Sequence, residues 1–427
     1  MTTAQKADAG APDGTSARGA AERTRRSTKG LLALALGAVL LGATACSGGS
    51  GGSSAQGGQD GKGSAAGSTA TTPTSQAAVS ILPKNGATGV DTTGALKVSA
   101  AKGKLTKVTV TASAGDAVDG AISADGSSWI PVGTLHTGTR YTVSATAEDS
   151  AGLTSVQQSS FTTLTPTATN YGVFNTDPGT YGVGMEVSIR FNKPVADQAA
   201  VHKGITVTAS PAVDVQGHWF GNQRIDFRPE KYWAPGTKVT LHLRLNGVQM
   251  SPGVYGQQSK DVSFTIGRSQ TSVVDNTTKL LKIYRNGALY KTYPASLGDA
   301  QHTTYNGKMV IEEKDPVVNM DSRTVGLGNS YHIKDVPHGM RLSDSGTFAH
   351  GNYWRPASVF GHQNTSHGCV GLRDVKGGGD PTTPAAWFYN NSLIGDVIEV
   401  VHSPDRTIDP GNGLNGWNMS WATWVAN

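Results

Sequence analysis

Two cysteines occur in 427 residues, and one sits in the stretch NTSHGCVG, Asn364 to Gly371. A thiol attacks as its thiolate, and a nearby imidazole is the usual means of making one. Three histidines lie on the N-terminal side of Cys369: His350, His362 and His367, the first of them nineteen positions upstream in SGTFAHGNYW. In an extended chain His367 points to the same side as Cys369, two positions on; in a turn it supports the loop instead. His350 lies in an alternating, strand-like run that ends at Gly351, and a neighbouring strand can deliver it as a base. Glycines at 368 and 371 let backbone N–H groups approach a substrate carbonyl, as an oxyanion hole requires. The pattern predicts acyl transfer by a cysteine nucleophile with a histidine acid/base partner. One Cys and three His also suggest zinc. However, the spacing lacks a paired CxxC or HxxxH and offers no obvious fourth ligand, so no metal is expected. A buried inert cysteine is the remaining alternative.

The other cysteine belongs to a different context. Arg23, Arg25, Arg26 and Lys29 precede the apolar run Leu31 to Ala45, followed by Cys46. A basic region, an apolar run and small residues before a cut describe an export signal, and the run is short for a spanning helix, which needs roughly 20 apolar residues. The sequence ATAC resembles the lipobox of bacterial lipoproteins, in which the cysteine is acylated and becomes the new N-terminus. Arg25-Arg26 leaves twin-arginine export open. Lipidation of Cys46 leaves Cys369 without an intramolecular partner, and a lone free cysteine in an exported protein points to a reactive thiol.

The net charge of +5 is misleading. Residues 1–45 hold six basic and three acidic side chains, which leaves 30 basic against 28 acidic in the rest. No basic patch or nucleic-acid motif stands out, so no nucleic-acid partner is expected.

With 55 glycines and 16% charged residues, the chain leans toward β structure with many turns. Its length calls for several domains. Residues 46–78 read as a flexible Gly/Ser tether after the lipidated cysteine, about 30 Å in root-mean-square reach. A repeat follows. WIPVGTLHTGTRYTV (Trp129 to Val143) matches FRPEKYWAPGTKVTL (Phe227 to Leu241), 98 residues apart. GATGV at Gly86 parallels GTYGV at Gly179, and SFTT at Ser160 echoes SFTI at Ser263. The period and the alternating runs predict two tandem immunoglobulin-like β-sandwiches at 79–165 and 166–268. Trp129, Trp219, Phe227 and Trp233 are expected in their cores. A third, mostly β domain is expected at 269–402. In it, Asn286-Gly287 sets a type I′ hairpin, Thr382 to Leu393 forms one short helix, and VIEVV is a strand. The tail at 403–427 carries Trp417, Trp421 and Trp424, whose spacing fits one helical face packed on a neighbouring domain.

His350-Gly351, fourteen intervening residues and then Ser366-His367-Gly368-Cys369 resemble the signature of the L,D-transpeptidase catalytic domain of bacterial wall synthesis. The likeness covers about 269–427. It extends outward, because two Ig-like modules, the catalytic domain and a Trp-rich tail resemble the mycobacterial and actinobacterial branch. MDSRTVG (Met320 to Gly326), Ser345-Gly346, WFY and GDVIEVV are similar to that branch as well.

The resemblance implies that Cys369 attacks the diaminopimelate carbonyl of a tetrapeptide stem, the terminal D-alanine leaves and a thioester forms. The side-chain amine of a second stem then attacks, giving a 3→3 cross-link. His350 is the implied acid/base, with the Gly351 carbonyl orienting its ring. His367 and Gly368 shape the site, and Tyr331 is the tyrosine of a lid. Met320, Ser345, Gly346 and Trp354 line the donor pocket, with Ser366 and Gly371 completing the binding surface. No cofactor is implied. The partners are donor and acceptor peptidoglycan stems, a membrane reached through the N-terminal lipid, and carbapenem-type β-lactams as covalent inhibitors. The implied location is the extracytoplasmic face of the plasma membrane, with action in the wall.

Gly371 is a departure, since the branch usually has Asn there. The acceptor also stays open: water makes the protein an L,D-carboxypeptidase, and a protein amine makes it a protein-to-wall attachment enzyme. A non-enzymatic reading, a tethered wall-binding lipoprotein with a degenerate catalytic domain, draws on Gly371 and is opposed by the retained His350 and Cys369.

Overall fold

The computed structural model describes residues 73–325, 328–329 and 331–426, without the side chain of Val325. The export signal, Cys46 and nearly all of the expected linker lie outside the described residues. Everything below belongs to one compact unit, Thr71–Asn427. Among the described residues, no helix is long and apolar enough to cross a membrane.

The architecture is mostly β, as the composition and alternation predict. The first sandwich runs from Ala78 to Thr163 and the second from Ala168 to Ile266, against the expected 79–165 and 166–268. Period-2 burial builds both. In Arg140–Glu148 the inward residues Tyr141, Val143, Ala145 and Ala147 are buried, and in Lys238–Arg244 they are Val239, Leu241 and Leu243. The sequence repeat is also a repeat of topology. Ser128–Pro131 and Arg224–Pro229 are each third in the order of their four-stranded sheets, and so are Arg140–Glu148 and Lys238–Arg244 in the facing sheets. Trp129, Trp219, Phe227 and Trp233 are all buried in the two cores, as expected.

The C-terminal part forms one nine-stranded sheet. Its order is Gly307–Val310, Val397–Val401, Gln270–Asp275, Leu280–Arg285, Ala288–Ser296, Val370–Arg373, Phe348–Asn352, His332–Arg341 and Glu313–Asp321. The hairpin turn has Asn286 and Gly287 at φ +50° and +79°, as a type I′ turn requires. The helix Pro384–Asn391 is shorter than the expected Thr382 to Leu393. Thr383 caps it by accepting the Ala386 N–H, and its buried face carries Ala385, Ala386 and Phe388.

The tail departs from expectation in form but not in place. Trp417 lies in the 3-10 turn Gly416–Asn418, while Trp421 and Trp424 lie in a separate helix, Trp421–Val425. Ser420 interrupts any continuous helix. It adopts an extended conformation, and its hydroxyl caps the second segment by accepting the Thr423 N–H. A cation on the second sandwich brings the three indoles together. The Arg228 guanidinium lies 4.7 Å from the Trp417 ring, 5.5 Å from Trp421 and 4.3 Å from Trp424. The Trp417 and Trp424 N–H groups donate to the carbonyls of Gly184 and Gln216 at 2.7 and 2.9 Å. Val310, Val397, Leu414 and Trp417 join the apolar core of the second sandwich, so the core is continuous across sandwich, catalytic sheet and tail.

Trp424 is fully buried and makes both a hydrogen bond and a cation–π contact. Trp424→Ala is expected to destabilise the unit holding it by about 3–5 kcal/mol. Denaturant titration checks this, and a loss below about 1 kcal/mol would show that the tail does not brace the fold.

Candidate active site

Phe348–Asn352 and Val370–Arg373 pair in parallel, with Ala349 opposite Val370, His350 opposite Gly371 and Gly351 opposite Leu372. Because residues two apart share a face, His350 and Gly371 lie on the same side of the sheet as Cys369, which immediately precedes the second strand. A histidine and a cysteine nineteen positions apart in sequence thereby become diagonal neighbours.

The His350 ring is buried. Its Nδ1 donates to the Gly351 carbonyl at 2.9 Å and its face stacks on Trp354, with centroids 5.7 Å apart and planes 11° off parallel. Since a carbonyl only accepts, this bond fixes the proton on Nδ1 and leaves the Nε2 lone pair free. Burial lowers the His350 pKa, opposed by the Gly351 carbonyl and the charge of Asp374. The neutral form therefore prevails near pH 7. Burial likewise pushes the Cys369 thiol up to about 11. The resting site thus holds a thiol beside a neutral imidazole, not the standing thiolate that the composition of the motif suggests. Such a pair is able to generate a nucleophile on demand, by moving one proton from sulfur to nitrogen.

The Cys369 thiol lies 3.8 Å from the Gly346 carbonyl, in a tight turn where Gly346 has φ +88°. The rest of the turn is held from outside the catalytic sheet. The Ser345 N–H donates to Asn412 Oδ1 at 2.9 Å, and Asn412 Nδ2 donates to the Ser345 hydroxyl at 2.8 Å. Asp344 pairs with Arg190 at 2.6 Å and with Arg224 at 3.7 Å, both on the second sandwich. Ser345, expected to line a donor pocket, is in this structure tied to the tail.

The SHGC turn braces itself. The Ser366 hydroxyl donates to the Cys369 carbonyl at 2.7 Å and accepts the Gly368 N–H at 3.2 Å. Gly368 stands at φ +106°, a conformation closed to most other residues. Its N–H is thus turned onto Ser366, away from the oxyanion role foreseen for it. His367 points toward His302 and Tyr331, with ring centroids at 4.5 and 4.8 Å. Burial and the neighbouring His302 lower its pKa. Tyr331 is half-buried. Burial, with the nearby Cys369 and the Asp321 charge, pushes its hydroxyl up to about 12. Met320 is buried on the edge strand opposite Ile333, two residues beyond Tyr331. His362 is exposed and takes no part.

Three features escaped the sequence. His302, held by Asp299 at 3.0 Å, completes the imidazole pair with His367. Asn352 is buried on the same face as His350, and its Oδ1 accepts the Arg355 N–H at 3.1 Å. A Cβ added to Gly371 would stand 3.6 Å from Asn352 Nδ2, so the Asn352 amide fills the space toward which a side chain at 371 would point. Asp374 is buried behind Gly351 and bonded to His338. His302 and Asp374 carry no local spacing signal, because one reaches the site from a separate loop and the other from beyond the strand end; Asn352, two residues after His350 on the same strand, is placed by period-2 alternation. Among the described residues, no group of His, Cys, Asp and Glu side chains is placed to hold a metal ion.

Residues 269–400 match the model of the L,D-transpeptidase catalytic domain, and residues 87–249 match that of a bacterial Ig domain. L,D-transpeptidase 2 of Mycobacterium tuberculosis is 34% identical over 411 residues, covering 95% of this chain and 97% of the relative. L,D-transpeptidase 5 of the same organism is 29% identical, covering 81% of this chain and 75% of the relative. A solved L,D-transpeptidase in complex with imipenem is 28% identical, with TM-score 0.44 over 53% of this chain and 95% of that one.

The raised thiol makes a testable statement about the resting state. In His350→Ala, alkylation of Cys369 by iodoacetamide is expected to climb with pH without levelling off below pH 8, because only direct ionisation of a thiol that burial raises then supplies thiolate. The intact chain should react faster at pH 7 by about tenfold or more. A plateau below pH 8 in the variant would show a thiol that does not need the imidazole.

Proposed function

The chain belongs to the L,D-transpeptidase family, and from that premise we propose that it forms 3→3 cross-links between peptidoglycan stem peptides through a thioester on Cys369. The observation that carries this reading is the shared face of Cys369 and His350, with the imidazole tautomer set by Gly351 so that Nε2 accepts a proton.

In the first half-reaction, Cys369 gives its proton to His350 Nε2 as sulfur attacks the donor carbonyl. The S–C bond forms, the C–N bond to the terminal D-alanine breaks, and the departing amine takes the proton back from His350. In the second, an acceptor amine attacks the thioester and gives a proton to His350. The new C–N bond forms, the S–C bond breaks, and sulfur recovers the proton. The energy of the donor amide is held in the thioester, so the sequence of steps calls for no nucleotide or metal. In this reading the oxyanion falls to backbone N–H groups other than that of Gly368, which is bonded to Ser366, and Tyr331, packed on His367, covers the thiol during both steps. Gly346, with Trp354 stacked on the base, borders the space left for the donor.

The same chemistry makes Cys369 a target for carbapenem-type β-lactams, whose strained amide carbonyl is a donor with a tethered leaving group. Export and acylation of Cys46 would hold the enzyme at the outer face of the plasma membrane, with the Gly/Ser stretch giving it reach into the wall.

Intact mass before and after a carbapenem is expected to show one adduct on the natural chain and none on Cys369→Ala. Mass spectrometry of products from purified disaccharide tetrapeptides is expected to show the 3→3 dimer with the natural chain and no dimer with the variant. Free tripeptide as the sole product would transfer the reading to an L,D-carboxypeptidase, and dimer from Cys369→Ala would remove the nucleophile. For the anchor, Cys46→Ser is expected to move the protein from the membrane to the soluble fraction; retention at the membrane would rule out the lipid.

A further inference from the structure

Behind the catalytic strand pair lies a charged group that the reaction sequence above does not use. Asp374 follows the strand Val370–Arg373, and its side chain is fully buried. Its carboxylate is held on three sides. His338 Nδ1 donates to Oδ2 at 2.7 Å, the Thr383 hydroxyl to Oδ1 at 3.0 Å, and the Val375 N–H to Oδ1 at 2.8 Å. The strand His332–Arg341, the strand end and the helix cap thus converge on one carboxylate.

The fourth side is Gly351, the residue whose carbonyl orients His350. A Cβ on residue 351 would collide with Asp374 Oδ2 and crowd its Cγ and Cβ. The glycine and the carboxylate therefore require one another. A larger residue at 351 would expel Asp374, and without Asp374 the back of the His350–Gly351 peptide would face a void. Buried charge is costly unless well bonded, so a carboxylate fixed in this place points to a use.

Building on the thiol–imidazole reading, we propose that Asp374 is a positioning residue for His350: its carboxylate packs against Gly351, holds the peptide whose carbonyl sets the imidazole tautomer, and stabilises the imidazolium formed when Cys369 gives up its proton. The step is a transfer within the pair; the S–H bond breaks, the Nε2–H bond forms, and Asp374 takes no proton. The direction agrees with the field at His350, where Asp374 raises a pKa that burial lowers. Other groups face elsewhere. His302, Asp299 and Arg355 act on His367, and Tyr331 faces Cys369. His338 faces Asp374 from the far side, with Tyr389 against its ring at 5.1 Å.

The test is the pH profile of Cys369 alkylation by iodoacetamide, a reagent that needs no wall substrate, in the full chain. Asp374→Asn keeps the shape and removes the charge. The neutral-pH rate is expected to fall roughly 3- to 10-fold. Because loss of a nearby negative charge lowers an imidazole pKa, the acid limb set by His350 is expected to move to lower pH by about half a unit or more. Gly351→Ala, which displaces the carboxylate without removing it, is expected to shift the limb the same way, and it serves as the reading if Asp374→Asn does not fold. A variant limb unmoved from that of the natural chain overturns the assignment of Asp374 alone. A natural chain whose profile equals that of His350→Ala overturns the thiol–imidazole pair, and Asp374 with it.

Discussion

The site depends on one parallel strand pair. Phe348–Asn352 runs alongside Val370–Arg373, and that register alone makes neighbours of His350 and Cys369. Parallel strands cannot be joined by a tight turn; they need a crossover of about a dozen residues or more. Here the crossover is 353–369, and it ends in the SHGC turn itself. The long gap between the two halves of the sequence motif therefore has a mechanical cause. A shorter gap would force an antiparallel hairpin and turn the imidazole to a different partner. The strand pair is in turn held between Ala288–Ser296 and His332–Arg341, so neither strand is a sheet edge.

The second sandwich and the tail reach this centre through the turn at 344–346, and the tail also reaches it through Asp405, which accepts the Thr303 hydroxyl at 2.7 Å. Asp344 is gripped by Arg190 and Arg224, Ser345 by Asn412, and the next residue, Gly346, presents its carbonyl to the thiol. Arg224 also donates to the carbonyls of Gly411 and Gly413 in the tail. One guanidinium thus ties sandwich, tail and active-site turn together. Exposed ion pairs contribute little by themselves, but Arg224 is buried and its contacts are shared among three segments. The Ig-like module next to the catalytic sheet therefore helps to hold the turn that faces the thiol.

How much of this was legible in the sequence follows from how local each signal is. Asn286-Gly287 announced its turn because positive φ at two successive positions restricts the residues allowed. The 98-residue repeat announced two sandwiches because period-2 burial recurs in the same order. Cys369 and His350 stood out through rarity and flanking glycines. The tail was misread as one helix because the Trp spacing carries a helical period while the chain is broken at Ser420; Arg228, far away in sequence, supplies the reason for the clustering. Asp374 and His302 left no trace for the same reason: their partners Gly351 and His367 lie far off in the chain, whereas Asn352 follows from the alternation that starts at His350.

Burial places opposing demands on such a site. A dry pocket raises the thiol and lowers the imidazole, so both rest neutral and hold no standing ion pair between them. The same dryness makes the proton transfer that starts the reaction expensive, since it creates two charges in a medium that solvates neither well. The compensation has to come from fixed dipoles and charges already pointing at the ions as they form. The Gly351 carbonyl is placed to do this for an imidazolium, at the Nδ1 side. Where the reading of Gly351 ends at its carbonyl, it explains only orientation. With the buried carboxylate at its back, the same residue would also let a neutral, desolvated pair bear the charge separation on which the proposed acyl transfer depends.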